Sequence, residues 1–242
     1  MTTPETLAPI FAPTGVLRVA LNHGNRVLVG RDDSGHPVGI SVDLAHALAK
    51  DLGLPLRFVE YDRAVDVSAS AQDNAWDVCF LAVDPKRSET IDFSQPYVRI
   101  DGCYLASSDC PAVDATDLVR SGVKVGSVTG SAYTLTLERL PGAENIVLFD
   151  DIHLMLAAFE RRDVSAVAGI GTVMHREAED RPRTRVLTPP FMEIRQAMAV
   201  PRGRPAAAEH LRRFLTHAAR SGLVGDILET HGVSRNCAVI PN

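Results

Sequence analysis

The chain has 242 residues, 45% of them apolar and 23% charged, with a formal net charge of −5. That length can bury a sizeable core as one domain or as two, and the balance excludes a disordered chain. Lys and Arg are scattered apart from short clusters such as Arg202–Arg204 and Arg212–Arg213, whereas nucleic-acid binding needs a basic face, so nucleic acid is not an expected partner.

No apolar run approaches the roughly 20 residues that a membrane-crossing helix needs. Met1 to Gly15 carry no basic segment and no long apolar stretch, so the chain as written is expected to carry no secretory signal. Val16–Leu21 then reads as a strand. Val42–Leu52 has apolar residues at helical spacing (Leu44, Ala45, Leu48, Ala49, Leu52), with Gly53 as its C-cap. Leu56–Tyr61 and Trp76–Val83 read as two further strands. Strand, helix and strand in this order predict parallel strands joined by crossover helices, hence an α/β fold.

The pattern then repeats. Val123–Val128 is an expected strand ending at Thr129, Gly130 and Ser131, and Ser131–Leu140 an expected helix stopped by Pro141–Gly142. Asn145–Phe149 and Val164–Gly169 read as strands around a helix at Asp151–Arg161. Ala197–Val200 reads as a strand returning to the first unit, followed by helices near Ala206–Ser221 and Val224–His231.

Several motifs carry a family resemblance. Asp33-Ser34-Gly35 is followed by Gly39-Ile40-Ser41-Val42-Asp43-Leu44, then Trp76-Asp77-Val78, Asp84-Pro85-Lys86-Arg87 and Asp92-Phe93-Ser94-Gln95-Pro96-Tyr97. In this order and spacing, over roughly Leu17 to Gly232, the sequence resembles the bacterial extracellular solute-binding proteins, family 3, the polar amino-acid receptors of ABC importers. The resemblance implies a two-lobed, periplasmic-binding-protein-like α/β fold of type II. Two crossover strands, near Leu105 and Ala197–Val200, would form its hinge. Residues 1–107 and 200–242 would build lobe 1, and residues 108–199 lobe 2. A ligand would lie between the lobes, which close on it.

The resemblance also implies a site. Arg87 aligns with the arginine that grips a ligand carboxylate; a guanidinium offers two parallel donors that match a carboxylate, which Lys cannot reproduce. Ala82 replaces a hydroxyl residue that commonly touches that carboxylate. Asp84 departs from the usual Ser or Thr and would orient Arg87 or meet a cation. Asn22 and Asn25 fall on the cleft rim, where they would contact a polar ligand or simply stabilise a turn. Gly130 and Ser131 open a helix whose free N–H groups suit an anion, or serve as an ordinary N-cap.

The family places an Asp after its second-lobe strand to receive a ligand ammonium. The matching stretch, Val164 to Ile170, has no carboxylate. A buried ammonium without a counter-charge is costly. The expectation is therefore a ligand that is not a standard α-amino acid, or else an ammonium met by Glu193, Asp150 or Asp151. Arg195, beside Gln196, would accept a second acid group or remain a solvated side chain.

No cofactor and no metal site is expected, since the eight His residues form no HxH or HExxH arrangement. Cys79 reads as a buried thiol, and Cys103 and Cys110 are close enough in sequence for a small disulfide without requiring one. The leading expectation is a monomeric receptor for a small carboxylate, with an ABC importer permease as a further partner. The alternatives are a cytoplasmic enzyme on the same scaffold, of the cyclohexadienyl dehydratase kind, and a ligand sensor. Against the enzyme, Ile170 is apolar where a general acid would stand. The resemblance implies the periplasm, and a native start at Met1 the cytoplasm.

Overall fold

The structure is a computed structural model that describes residues 4–241, with side chains from Leu7 onward. What the sequence suggests about residues 1–3 lies outside the described residues. In chain order the elements are α1 (Pro4–Phe11), β1 (Leu17–Asn22), β2 (Gly30–Arg31), β3 (Pro37–Val38), α2 (Ile40–Leu52), β4 (Leu56–Tyr61), α3 (Ala64–Ala69), β5 (Val78–Ala82) and β6 (Ile91–Ser107). There follow α4 (Ala115–Ser121), β7 (Val125–Val128), α5 (Ala132–Leu137), β8 (Ile146–Phe149), α6 (Ile152–Glu160), β9 (Ala166–Ile170), α7 (Gly171–Glu179), β10 (Thr184–Val186), β11 (Met192–Pro201), α8 (Pro205–Arg220) and α9 (Leu223–Thr230).

The fold is α/β, and the chain divides into two compact units. Unit 1 takes the described residues up to Arg99 and those from Arg195 on; unit 2 is Ile100–Ile194. Two strands, β6 and β11, therefore run from one unit into the other. Leu105 pairs with Val167 inside unit 2.

In unit 1 the strand order is β4, β1, β5, β11. β1 is parallel to β4 and to β5, and β11 is antiparallel to β5. Leu17, Val19, Ala20 and Leu21 are fully buried, and burial of a Leu or Val side chain contributes about 1.5–3 kcal/mol. α2 covers the sheet with Leu44, Ala45, Leu48 and Leu52. It ends at Gly53, whose φ of 65° is the left-handed conformation that a helix stop requires and glycine adopts most readily. Trp76 is buried among Val67, Ala71 and Ile91, and its indole N–H donates to the Val67 carbonyl and the Ser70 hydroxyl.

A buried ion pair ties β1 to the start of β5. Asp77, wholly buried, accepts from Arg18 Nε at 2.9 Å and Nη2 at 2.8 Å, from the Arg18 backbone N–H at 3.0 Å and from Arg204 Nη1 at 3.1 Å. Four donors satisfy the carboxylate, which is the condition for burying a charge.

In unit 2 the order is β6, β9, β7, β8, with β10 also on β6. β7 is parallel to β8 and β9, while β6 runs antiparallel to β9. Its core gathers Leu105, Met155, Phe159, Val164, Val167 and Met174. Tyr104 stacks on Phe191 with ring centroids 4.4 Å apart. All four cysteines are free thiols, so Cys103 and Cys110 form no disulfide.

Candidate ligand-binding site

β5 is apolar and buried to its last residue, Ala82. The chain then turns through Val83 and Asp84 into a single turn of 3-10 helix at Arg87–Glu89. Asp84 builds that turn. Its Oδ1 accepts from the Lys86 N–H at 2.9 Å, and its carbonyl accepts from the Ser88 N–H and hydroxyl, both at 3.0 Å. A short carboxylate does this well because it can bond its own backbone two residues on.

Arg87 is only 4% exposed. Its Nη1 donates to the Ala82 carbonyl at 3.0 Å, which folds the side chain back along the end of β5. Burial pulls its pKa below that of an ordinary arginine, while the Asp84 carboxylate and Cys79 act in the opposite direction. A guanidinium keeps its charge even so. Cys79 lies behind it, and burial pushes that thiol well up against the opposing pull of Arg87. A cation held in this setting interacts with a further anion far more strongly than a surface arginine would.

The neighbouring strand reaches the same place. The Val83 N–H donates to the Arg195 carbonyl at 2.9 Å, and Gln196 stands opposite Ala82. Gln196 is 6% exposed. The family resemblance places Gln196 just before the return strand, and the antiparallel register sets it at the end of β5.

Asn22 is the last residue of β1, so it too lies at the carboxyl end of a unit 1 strand. Its Oδ1 accepts from the Gly24 N–H at 3.1 Å. Asn25 is buried; its carbonyl accepts from the Leu28 and Val29 N–H groups, both at 3.0 Å, and its Oδ1 from the Val27 N–H at 3.3 Å. Both amides therefore hold the loop after β1. Asn22, Ala82, Asp84, Arg87 and Arg195 all fall at the carboxyl ends of β1 and β5 or on the strand paired there, where open α/β sheets present ligands.

Unit 2 holds the remaining candidates. Gly130, with φ of 67°, turns the chain at the end of β7. Ser131 is the N-cap of α5, its hydroxyl accepting from the Thr134 N–H at 3.2 Å. Thr134 Oγ1 bonds the Val128 carbonyl at 2.6 Å and lies 2.8 Å from Ser131 Oγ, so the Gly130–Ser131 turn is rigidly held. Beside it the Tyr133 phenol is pushed up to about 12, by burial first and against the Ser131 hydroxyl. Glu193 lies exposed near the start of β11. β9, Ala166–Ile170, carries no carboxylate. Among the described residues no three His, Cys, Asp or Glu side chains gather as metal ligands do.

Comparison with known proteins decides the family. The family model for bacterial extracellular solute-binding proteins, family 3, matches residues 17–233. The chain belongs to that family. It is 25% identical over 225 residues to a probable histidine-binding protein of Neisseria gonorrhoeae, covering 90% of this chain and 83% of the relative. Its fold matches that of an amino acid ABC transporter substrate-binding protein, AbpA from Streptococcus pneumoniae, bound to L-arginine. The TM-score is 0.76 at 22% identity, over 91% of this chain and 96% of the other. It also matches a histidine kinase sensor domain similar to periplasmic binding proteins, with a TM-score of 0.78 at 19% identity over 93% and 98%. Both structural matches establish the family 3 solute-binding chain as a periplasmic-binding-protein-like α/β fold, in accord with the motifs around Arg87.

Proposed function

We propose that this solute-binding protein captures a small carboxylate-bearing molecule of the amino-acid class, and that Arg87 grips the carboxylate. The observation that carries the reading is the buried guanidinium at the end of β5, with one arm fixed to the Ala82 carbonyl. Arginine preset in this way loses less side-chain freedom on binding than a surface arginine, so more of the interaction becomes affinity. The Gly130–Ser131 turn and the polar groups at Asn22, Gln196 and Arg195 are candidate contacts for the rest of the ligand. The names of the relatives support amino acids as the ligand class and an ABC importer as the partner.

A thermal-shift screen against the twenty amino acids and a panel of mono- and dicarboxylates tests the reading. A ligand that binds only the folded protein at about a hundred times its Kd adds roughly 2.7 kcal/mol of stability. One acid that raises the Tm, is recovered unchanged, and loses its effect in Arg87→Ala supports it. A hit that is consumed shows an enzyme, and an Arg87→Ala variant with unchanged affinity overturns the carboxylate clamp.

A further inference from the structure

If Arg87 holds a ligand carboxylate, as proposed above, the other polar groups at the same strand end decide how firmly it is held. Ala82, Arg87 and Gln196 all belong to unit 1. β11 runs antiparallel to β5 with Gln196 directly opposite Ala82, and the Val83 N–H donates to the Arg195 carbonyl at 2.9 Å just beyond. Residues opposite each other in an antiparallel pair share a face of the sheet, with Cβ atoms about 4.5–5.5 Å apart. The Gln196 side chain therefore starts beside the Ala82 methyl group. The Ala82 carbonyl in turn fixes Arg87 Nη1 at 3.0 Å. One residue of β5 thus has the guanidinium on its backbone and the glutamine beside its side chain.

Gln196 stands apart from the other buried polar side chains of unit 1. Arg18 and Asp77 close on each other, Asn25 and Asp84 each bond the backbone of their own turns, and Ser94 donates to the Gln95 carbonyl. Gln196 is 6% exposed, yet among the described residues its side-chain amide makes no hydrogen bond. Its amide atoms are not sealed in the core either. A largely buried amide without a partner costs stability. Methionine, of similar length and without an amide, would serve the fold alone better. A polar group kept in such a place, open at its tip and beside a buried arginine, is placed to meet a ligand.

We propose that Gln196 is a ligand-binding residue whose amide N–H donates to the carboxylate that Arg87 holds, so that β11 and the turn after β5 grip one group together. The amide adds a donor without adding charge.

Titration calorimetry tests this with each of the twenty amino acids that raises the Tm of the wild-type protein. Gln196→Met removes the amide and keeps the length. It should weaken binding by about fivefold or more, while the Tm of the unliganded protein stays level or rises, because no protein group loses a partner. Gln196→Glu sets a carboxylate beside the ligand's own and should weaken binding further than methionine does. Ala82→Ser added to Gln196→Met places a hydroxyl donor on the same face, opposite the lost amide. It should bring the affinity back to within about twofold of wild type, a rescue that a merely structural role would not give. Wild-type affinity in Gln196→Met or in Gln196→Glu overturns the proposal. So does a loss in Gln196→Met that comes with a lower Tm or that Ala82→Ser does not recover. Arg87 as clamp survives all of these results provided that Arg87→Ala abolishes binding. A wild-type protein that binds none of the twenty, or an Arg87→Ala variant of unchanged affinity, defeats the underlying reading and this one with it.

Discussion

At the scale of single residues, the two buried arginines of unit 1 do different work. Arg18 spends its guanidinium on Asp77 and Asn74 and is locked into the sheet. Arg87 anchors one nitrogen to the Ala82 carbonyl at the end of β5, the position proposed above for the ligand carboxylate. Arg87→Lys keeps the charge but loses the planar fork, so ligand affinity should fall at least tenfold by titration calorimetry; unchanged affinity would show that only charge matters at this position. Asp77→Ala leaves Arg18 and Arg204 facing a hole in the core. It should lower stability by about 3–5 kcal/mol in urea denaturation, the usual cost of removing one partner of a buried pair. A loss below about 1 kcal/mol would mean that water compensates the arginines. Arg87 could be picked out in the sequence because a local motif surrounds it. The Arg18–Asp77 pair could not, since its partners are 59 residues apart and nothing local links them.

At the scale of elements, those with one buried face were legible and those with mixed patterning were not. β4 runs Leu56–Tyr61, as its residues suggest, and α2 ends at the expected Gly53. The strand read at Trp76–Val83 is shorter, Val78–Ala82, because Trp76 and Asp77 turn into side-chain contacts before the ladder begins. β6, seventeen residues long, was expected only through the family resemblance, as a crossover strand near Leu105; Pro96 and the charges of Asp92, Arg99 and Asp101 obscure its periodicity. Its two ends serve different units, so no single alternation of apolar and polar residues describes it. α7 was missed because most of its residues are polar and only Gly171 and Met174 are buried. The entry to α2 depends on Gly39, at φ of 125°, where an added Cβ would lie 2.6 Å from the Leu28 carbonyl oxygen. Gly39→Ala should cost about 1–3 kcal/mol from the backbone conformation alone, with the clash adding to it. The urea midpoint measures it, and a wild-type midpoint would show that the loop at Leu28 yields freely.

At the scale of the molecule, stability should fall in alkali through buried thiols and phenols of both units: burial raises Cys79 and Tyr97 of unit 1 as well as the groups of unit 2. Burial raises the Cys103 thiol from 9.0 to about 11 and the Tyr104 and Tyr133 phenols from 10.0 to about 12. The folded chain holds these protons more tightly than the unfolded chain does. Their contribution is therefore complete below about pH 9 and is lost as pH climbs through the folded-state values. Denaturation midpoints should be flat from neutral pH to about pH 9, then fall, with the thiol acting first and the phenols following. Cys103→Ala should shrink the earlier part of the fall, which the buried Cys79 thiol shares; an identical profile in that variant would assign it to other groups.

The sequence by itself determined the α/β class, the family and the residue to suspect at the end of β5. Those depend on short-range regularities: the period of buried residues, turn chemistry, and motifs whose members are a few positions apart. Only the tertiary structure decided what lies beside what. It showed where along β6 and β11 the units divide, Gln196 opposite Ala82, Arg18 closed on Asp77, and Asp101 against Gly171. Those juxtapositions come from strand register between distant segments, and register is set by the packing of whole faces, which no local stretch of residues encodes.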